Sequence, residues 1–343
     1  MRSLRWWALA AAVSAMACGG DSAPRPKPAD AGPLVVGLLL DTLENERWQR
    51  DRDLFVARAE ELFAKVEVRT GGGTHETQLA AARELLDAGV KSLVVVPHDL
   101  EKAKDIVAEA AARKVPVISY DRLIRDADVA LYVSFDNVKV GRMQAEALLA
   151  AAPRGNYVLL GGSPTDNNAK LVREGQLEVL TPAIASGAVR VVADPWVQNW
   201  DAQLAREETA AALKKARGIV AVVASNDATA TGAAEALQSA KMLGKVALSG
   251  QDADLAACQR IVNGTQTMTV YKPLKALARM AAGSAVTLAK GEAVDSLVKV
   301  NNGLKDVPAR LLEPIAVDKS NIDVTVISDG YQTRDAVYQR KAN

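Results

Sequence analysis

The sequence predicts an α/β protein folded as two doubly wound parallel-sheet lobes. Three observations lead there. From residue 34 onward, short β-branched runs alternate with longer amphipathic ones, the pattern of parallel strands covered by helices on both faces. The ten strand candidates are too many for one sheet of ordinary size and divide better between two domains of about five or six strands each. Polar residues, mostly Asp and Asn, recur just past the carboxyl ends of strands in both halves, where open parallel sheets bind ligands.

The first set of strands is 34–40, 65–70, 91–96, 115–119 and 130–134, with helical patterns between them at 76–88 (ETQLAAARELLDA) and 100–113. Residues 34–40 (LVVGLLL) are wholly apolar, as a strand covered on both faces must be. They open into DTLENERWQRDRDLF, a helix start dense in charge. The second set is 156–160, 189–193, 219–224, 244–249 and 266–271, interleaved with helices over 138–151, 168–181, 202–217 and 228–240. After residue 272 the pattern changes. Residues 273–291 form one long Ala-rich helix, 295–301 lead into the loop Asn302-Gly303-Leu304-Lys305-Asp306, and 311–317 and 323–328 read as strand-like.

The amino end reads as a targeting segment. Arg2 and Arg5 precede a short apolar stretch from Trp6 to Val13, too short for a permanent membrane span, and small residues lead into Cys18. Ala15-Met16-Ala17-Cys18 matches a bacterial lipobox, in which the Cys becomes the lipid-modified new N-terminus; a plain signal peptide cleaved near Ala17 is the other reading. The following GGDSAPRPKPADAG suits a flexible tether. Cys18 and Cys258 are the two cysteines, so with Cys18 lipidated no disulfide is expected, and Cys258 reads as a small core residue. His75 and His98 lack partners at ligand spacing, so no metal site is expected. With 42 basic and 41 acidic residues, nothing points to a polyanion or nucleic-acid partner.

The chemistry concentrates at the strand ends. A helix beginning near Glu44 sets Arg47 and Asp51 one turn apart, able to pair. Trp48 shares a helical stripe with Phe55, Ala59 and Leu62 and reads either as core or, with Arg47, as the wall of a ligand mouth. Tyr120-Asp121-Arg122, the loop GGSPTDNNAK (161–170), Asn199-Trp200-Asp201, Asn226-Asp227, Gln251-Asp252 and Tyr271-Lys272 repeat the same vocabulary. Carboxylates and amides accept from vicinal hydroxyls, Arg and Lys donate, and flat rings cover the C–H faces of a pyranose, so the set suits a neutral polyol. The plainer reading makes each Asp or Asn an N-cap at a strand-to-helix turn. No phosphate loop, dinucleotide fingerprint or nucleophile elbow is present. Each carboxylate neighbours Arg or an amide, which favours permanent ionisation over general-acid work, so no enzyme activity and no cofactor are expected.

These residues also carry a resemblance. ERWQRDRD, ISYDR, SFDN, GGSPTDNNAKL, VVASNDATA, SGQDADLA, GTQTMTVYKP and NNGLKDV resemble the D-xylose-binding periplasmic proteins of bacterial ABC importers, a ribose-binding-like family of type I periplasmic binding proteins. The resemblance runs from Val35 to about Tyr331. It implies sugar contacts at Arg47, Trp48, Asp121, Arg122, Asp166, Asn168, Trp200, Asn226, Asp252 and Lys272, the two indoles covering the sugar and the rest hydrogen-bonding to it. GGGTHETQ and PHDLEKA depart from the family pattern and are expected to lie outside the site. The resemblance further implies three hinge crossings, near Asp136, near Lys272 or Pro273, and near Asn302. The expected division is a signal segment 1–18, a tether 19–33, a first lobe of 34–136 plus 273–302 and a second of 137–272 plus 303–343. The implied protein is a periplasmic monomer, held to the membrane only through Cys18, that delivers D-xylose or a related monosaccharide to an ABC permease. The alternative is a sensor presenting sugar to a chemoreceptor or histidine kinase.

Overall fold

A computed structural model describes residues 33–339, apart from residues 44, 45 and 297. The expected signal segment, Cys18 and nearly all of the tether lie outside the described residues. In chain order the elements are β1 (Leu34–Leu40), α1 (Glu46–Glu61), β2 (Ala64–Thr70), α2 (His75–Asp87), β3 (Leu93–Val95), α3 (Lys104–Ala112), β4 (Val117–Tyr120) and β5 (Leu131–Phe135). They continue with α4 (Asn137–Ala151), β6 (Gly155–Leu160), α5 (Asn167–Ala185), β7 (Val189–Ala193), α6 (Ala202–Lys215), β8 (Ile219–Ala224), α7 (Asp227–Ser239), β9 (Ala247–Leu248), α8 (Leu255–Val262) and β10 (Thr269–Tyr271). The last are α9 (Leu274–Ala289), β11 (Val298–Asn301), β12 (Asp306–Leu312), β13 (Ile315–Val317) and α10 (Arg334–Val337).

The first sheet has seven strands in the order β11-β12-β5-β4-β3-β1-β2, parallel except for β11. Its strands are apolar because both faces are covered: Val36, Leu38 and Leu40 pack with α1 and α9, and Leu39, Leu93 and Val95 with α2 and α3. The second sheet runs β7-β6-β8-β9, all parallel. A parallel bridge from Gln251 to Val270 continues it into β10, which pairs antiparallel with β13. Cys258 is buried in a smaller cluster with Tyr271, Val317 and Val326, and burial pushes its thiol up to about 12.

The chain passes between the sheets at Asp136, which caps α4 by accepting from Lys139 N at 2.9 Å, and at Lys272–Pro273. The third crossing differs from expectation. Asn302 stays in the first lobe as the staple of the β11–β12 turn: its side-chain amide donates to Ile124 O at 3.1 Å and Ala127 O at 2.7 Å, and its Oδ1 accepts from Lys305 N at 3.1 Å. Residues 306–312 then lie beside β5, so they belong to the first lobe and not, as expected, to the second. The chain crosses at 313–314, where Pro314 offers no N–H to continue a ladder. The strand expected over 323–328 is instead a π-helical turn, Asp323–Ile327. Buried Ile322 and Val326 show why, since apolar residues four apart suit a helical turn and not a pleat.

Candidate functional site

At the carboxyl ends of the strands the two lobes enclose a cavity of about 560 Å³. All ten residues named from the sequence line it. Arg47 and Trp48 come from the first turn of α1, Asp121 and Arg122 follow β4, and Asp166 and Asn168 open α5. Trp200 lies on a 3-10 turn before α6, Asn226 opens α7, Asp252 follows β9, and Lys272 follows β10. The lining carries three cations (Arg47, Arg122 and Lys272) against four carboxylates (Asp41, Asp121, Asp166 and Asp252). That near balance, with several hydroxyls and amides, suits an uncharged ligand rich in hydrogen-bonding groups better than an ion.

Asp121 is the electrostatic centre. It is 3% exposed and pairs with the Arg47 guanidinium. Burial alone would raise its pKa, but Arg47 and then Lys272 more than offset this and hold the carboxyl below its ordinary range. Its backbone is left-handed, φ 61°, a conformation a β-carbon disfavours. Three donors to its carbonyl oxygen fix that conformation: Tyr132 Oη at 2.9 Å, Ser134 Oγ at 2.8 Å and Asn168 Nδ2 at 3.2 Å. The same Asn168 amide reaches Asp121 Oδ1 at 2.9 Å, so the lobes touch across the cleft. Behind Arg47, the buried Asp51 accepts from Tyr120 Oη, and burial pushes its pKa up to about 6 despite the nearby Arg47. Lys272 is lowered by burial against the pull of Asp121 and Asp252. Among the described residues its ammonium makes no hydrogen bond or ion pair; it faces the cavity 5.8 Å from the Phe135 ring.

Trp48 stands at both positions the sequence offered. It is 5% exposed within the first lobe's core cluster, yet it lines the cavity, with the guanidinium groups of Arg47 and Arg122 at 4.5 Å and 5.6 Å from the ring centroid. The N-cap reading also holds in part. Asp166 accepts from Asn168 N at 2.9 Å, and Asn226 forms a full capping box with Thr229, while both line the cavity. Asp121 and Asp252 cap no helix. Left-handed backbone recurs at Asn199, Trp200, Asp252 and Ala253, a clustering typical of sites where position outweighs local comfort. At Trp200 it lays the indole over Gly162, where any β-carbon would collide with the ring. Trp200 Nε1 donates to Asp166 Oδ2 at 3.3 Å.

The lining extends beyond those ten residues. Asp41 accepts from Arg122 at 3.0 Å and contacts His98 Nδ1 at 2.7 Å. Ser163, Thr165, Asn199 and Gln251 also face the cavity. Gly72, Gly73, His98 and Leu100 do so too, which corrects the expectation that GGGTHETQ and PHDLEKA lie outside the site. Asp41 and His98 follow strand ends, and Ser163, Thr165, Asn199 and Gln251 belong to the polar stretches singled out above, whereas Gly72, Gly73 and Leu100 have no polar side chain to mark them.

A family model described as "Periplasmic binding protein domain" matches residues 36–293. A "D-xylose-binding periplasmic protein" of Haemophilus influenzae is 52% identical over 306 residues, covering 89% of this chain and 92% of its own. The protein of the same description from Escherichia coli K12 is 51% identical, covering 88% and 92%. The solved structure of a carbohydrate transporter solute-binding protein from Chloroflexus aurantiacus, in complex with D-glucose, superposes with a TM-score of 0.82 at 32% identity, covering 88% of this chain and 97% of its own.

Proposed function

The chain belongs to the periplasmic binding protein family, and from that footing we propose that it is a periplasmic receptor that captures D-xylose between its lobes and delivers it to an ABC permease. The observation that carries this reading is the cleft itself. Ten side chains from seven segments of the two lobes meet there in a polar, nearly charge-balanced lining with indoles on its walls. Asp121, Asp166, Asn168, Asn226 and Asp252 accept from or bridge sugar hydroxyls, Arg47, Arg122 and Lys272 donate, and Trp48 and Trp200 cover the ring faces.

Sugar held by one lobe gains contacts from the other on closure, and that difference in affinity shifts the hinge toward the closed form. Each charge-assisted hydrogen bond contributes about 1.5–3 kcal/mol. Eight added together give about 12–24 kcal/mol, well above the roughly 8 kcal/mol of a micromolar complex, so desolvation and closure offset much of the total. No covalent step is involved, and the closed form is what the permease recognises.

The test is calorimetric titration of the soluble chain from Pro33 onward with D-xylose, D-glucose, D-ribose and L-arabinose in parallel. Tight binding of D-xylose, with a dissociation constant of about 1 μM or below and weaker binding of the others, is expected. No heat with any of the four sugars would overturn the reading.

The same proposal holds the protein at the membrane through a lipid on Cys18. Cys18→Ser in the full chain is expected to move the protein from the detergent phase to the aqueous phase of a Triton X-114 partition and to abolish incorporation of labelled palmitate. Unchanged partitioning and labelling would remove the anchor.

A further inference from the structure

Outside the sugar cleft, one contact joins the lobes through residues with no assigned role. Arg50 sits on α1, one turn beyond Arg47, and belongs to the first lobe. Tyr331 follows the 323–327 turn and packs in the second lobe's smaller core cluster. Arg50 Nη1 donates to Tyr331 O at 2.8 Å, and its guanidinium carbon lies 4.8 Å from the centroid of the Tyr331 ring. We propose that Arg50 and Tyr331 form a latch between the lobes that raises the population of the closed, sugar-competent form without touching sugar. This inference rests on the receptor reading above.

The latch is tied to the site on both sides. Arg50 shares α1 with Arg47 and Trp48, so it moves with the first lobe's wall of the cleft. Tyr331 is held against Tyr271, with ring centroids 5.1 Å apart, and Tyr271 immediately precedes Lys272. Tyr271 Oη in turn donates to the Asp329 carboxylate. The amide of the next residue, Gln332, donates to Ala253 O at 3.2 Å, directly after Asp252. Sugar gripping Lys272 and Asp252 therefore steadies the two neighbours that position Tyr331. A guanidinium meeting a carbonyl oxygen and an aromatic face together is directional, and it is satisfied only when the lobes hold one relative orientation. Neither Arg50 nor Tyr331 lines the cavity, so the latch acts on every sugar alike. An affinity that depends on a competent fraction falls in proportion to that fraction.

The test compares wild type with Arg50→Ala, Tyr331→Ala and the conservative Tyr331→Phe, which keeps the ring and the backbone carbonyl. Dissociation rate and Kd are measured for D-xylose and for one weaker sugar, and the radius of gyration is measured by small-angle scattering without sugar. Arg50→Ala and Tyr331→Ala are expected to raise Kd about fivefold to tenfold through faster dissociation. The ratio of affinities between the two sugars should stay unchanged, and the sugar-free protein should expand. Tyr331→Phe should behave as wild type. A circular-dichroism melt identifies any variant that fails to fold, and Arg50→Lys, which keeps the charge but not the fork, then takes its place with an intermediate effect expected. Unchanged dissociation and an unchanged radius in folded variants would overturn the latch, as would an altered sugar ratio. Because scattering needs no sugar, expansion without any sugar binding in wild type would sink the receptor reading and leave the latch standing.

Discussion

Asp121→Ala is expected to weaken sugar binding by about 3 kcal/mol, more than a hundredfold, and to destabilise the fold by a similar amount. Two terms add in the binding loss. The substitution removes a charge-assisted acceptor, by itself about 1.5–3 kcal/mol, and it frees the Arg47 guanidinium and the Asn168 amide that Asp121 now aims. The stability loss comes from the part-buried Arg47 and the buried Lys272, cations that Asp121 holds in balance, with only part of the compensation left at Asp51 and Asp252. A further cost of about 1 kcal/mol arises because alanine disfavours φ 61°. Asp121→Asn separates these effects. Asparagine tolerates the left-handed backbone and can still accept from Asn168, so it should recover the backbone part of the stability while leaving the binding defect nearly whole. Titration calorimetry and urea melts check both variants. A Kd for Asp121→Ala within threefold of wild type would place Asp121 in a purely structural role.

How much of this site was legible before the structure depends on what kind of interaction each residue makes. Asp121, Arg122, Asp166, Asn226, Asp252 and Lys272 stand directly after strands or at the helix starts that follow them, and in a doubly wound sheet that position alone turns them toward the cleft. The support behind them was not legible. Asp51 meets Tyr120 across 69 positions of sequence, and no local pattern announces that the carboxylate pairing with Arg47 will itself be buried against a phenol. The third crossing was misplaced for a related reason. The resemblance set it near Asn302, yet Asn302 is fully buried because the carbonyls of Ile124 and Ala127, distant in sequence, claim its amide. The strand expected over 323–328 failed because the run DVTVI has β-branched composition, while its burial follows a helical period set by the neighbouring core.

Least legible were the glycines on which the second lobe's helix pair is built, and they carry the other large expected effect. Gly141 on α4 and Gly175 on α5 face each other's helices at backbone contact: a β-carbon on Gly141 would overlap the carbonyl oxygen of Val172, and one on Gly175 the carbonyl oxygen of Val138. Neither obstacle is a side chain that could swing away, so Gly141→Ala or Gly175→Ala must push the helices apart. The separation would break the buried Gln176–Gln144 hydrogen bond at 2.7 Å and the Asn137–Asn168 bond at 3.0 Å. Overpacking against backbone lies at the upper end of its usual range, so each substitution is expected to cost about 3 kcal/mol in a urea melt, and the pair together to prevent folding at 37 °C. The single variants that fold should also lose sugar affinity, because Asn137 holds the Asn168 amide toward Asp121. Gly283→Ala on α9 is the control: nothing lies within 4 Å of the β-carbon it adds, and the helix preference of alanine should make it neutral or stabilising by up to about 1 kcal/mol. Equal melts for all three variants would mean that the helix pair tolerates spreading, and that Asn168 is held in the cleft by the loop before α5 and not by the packing behind it.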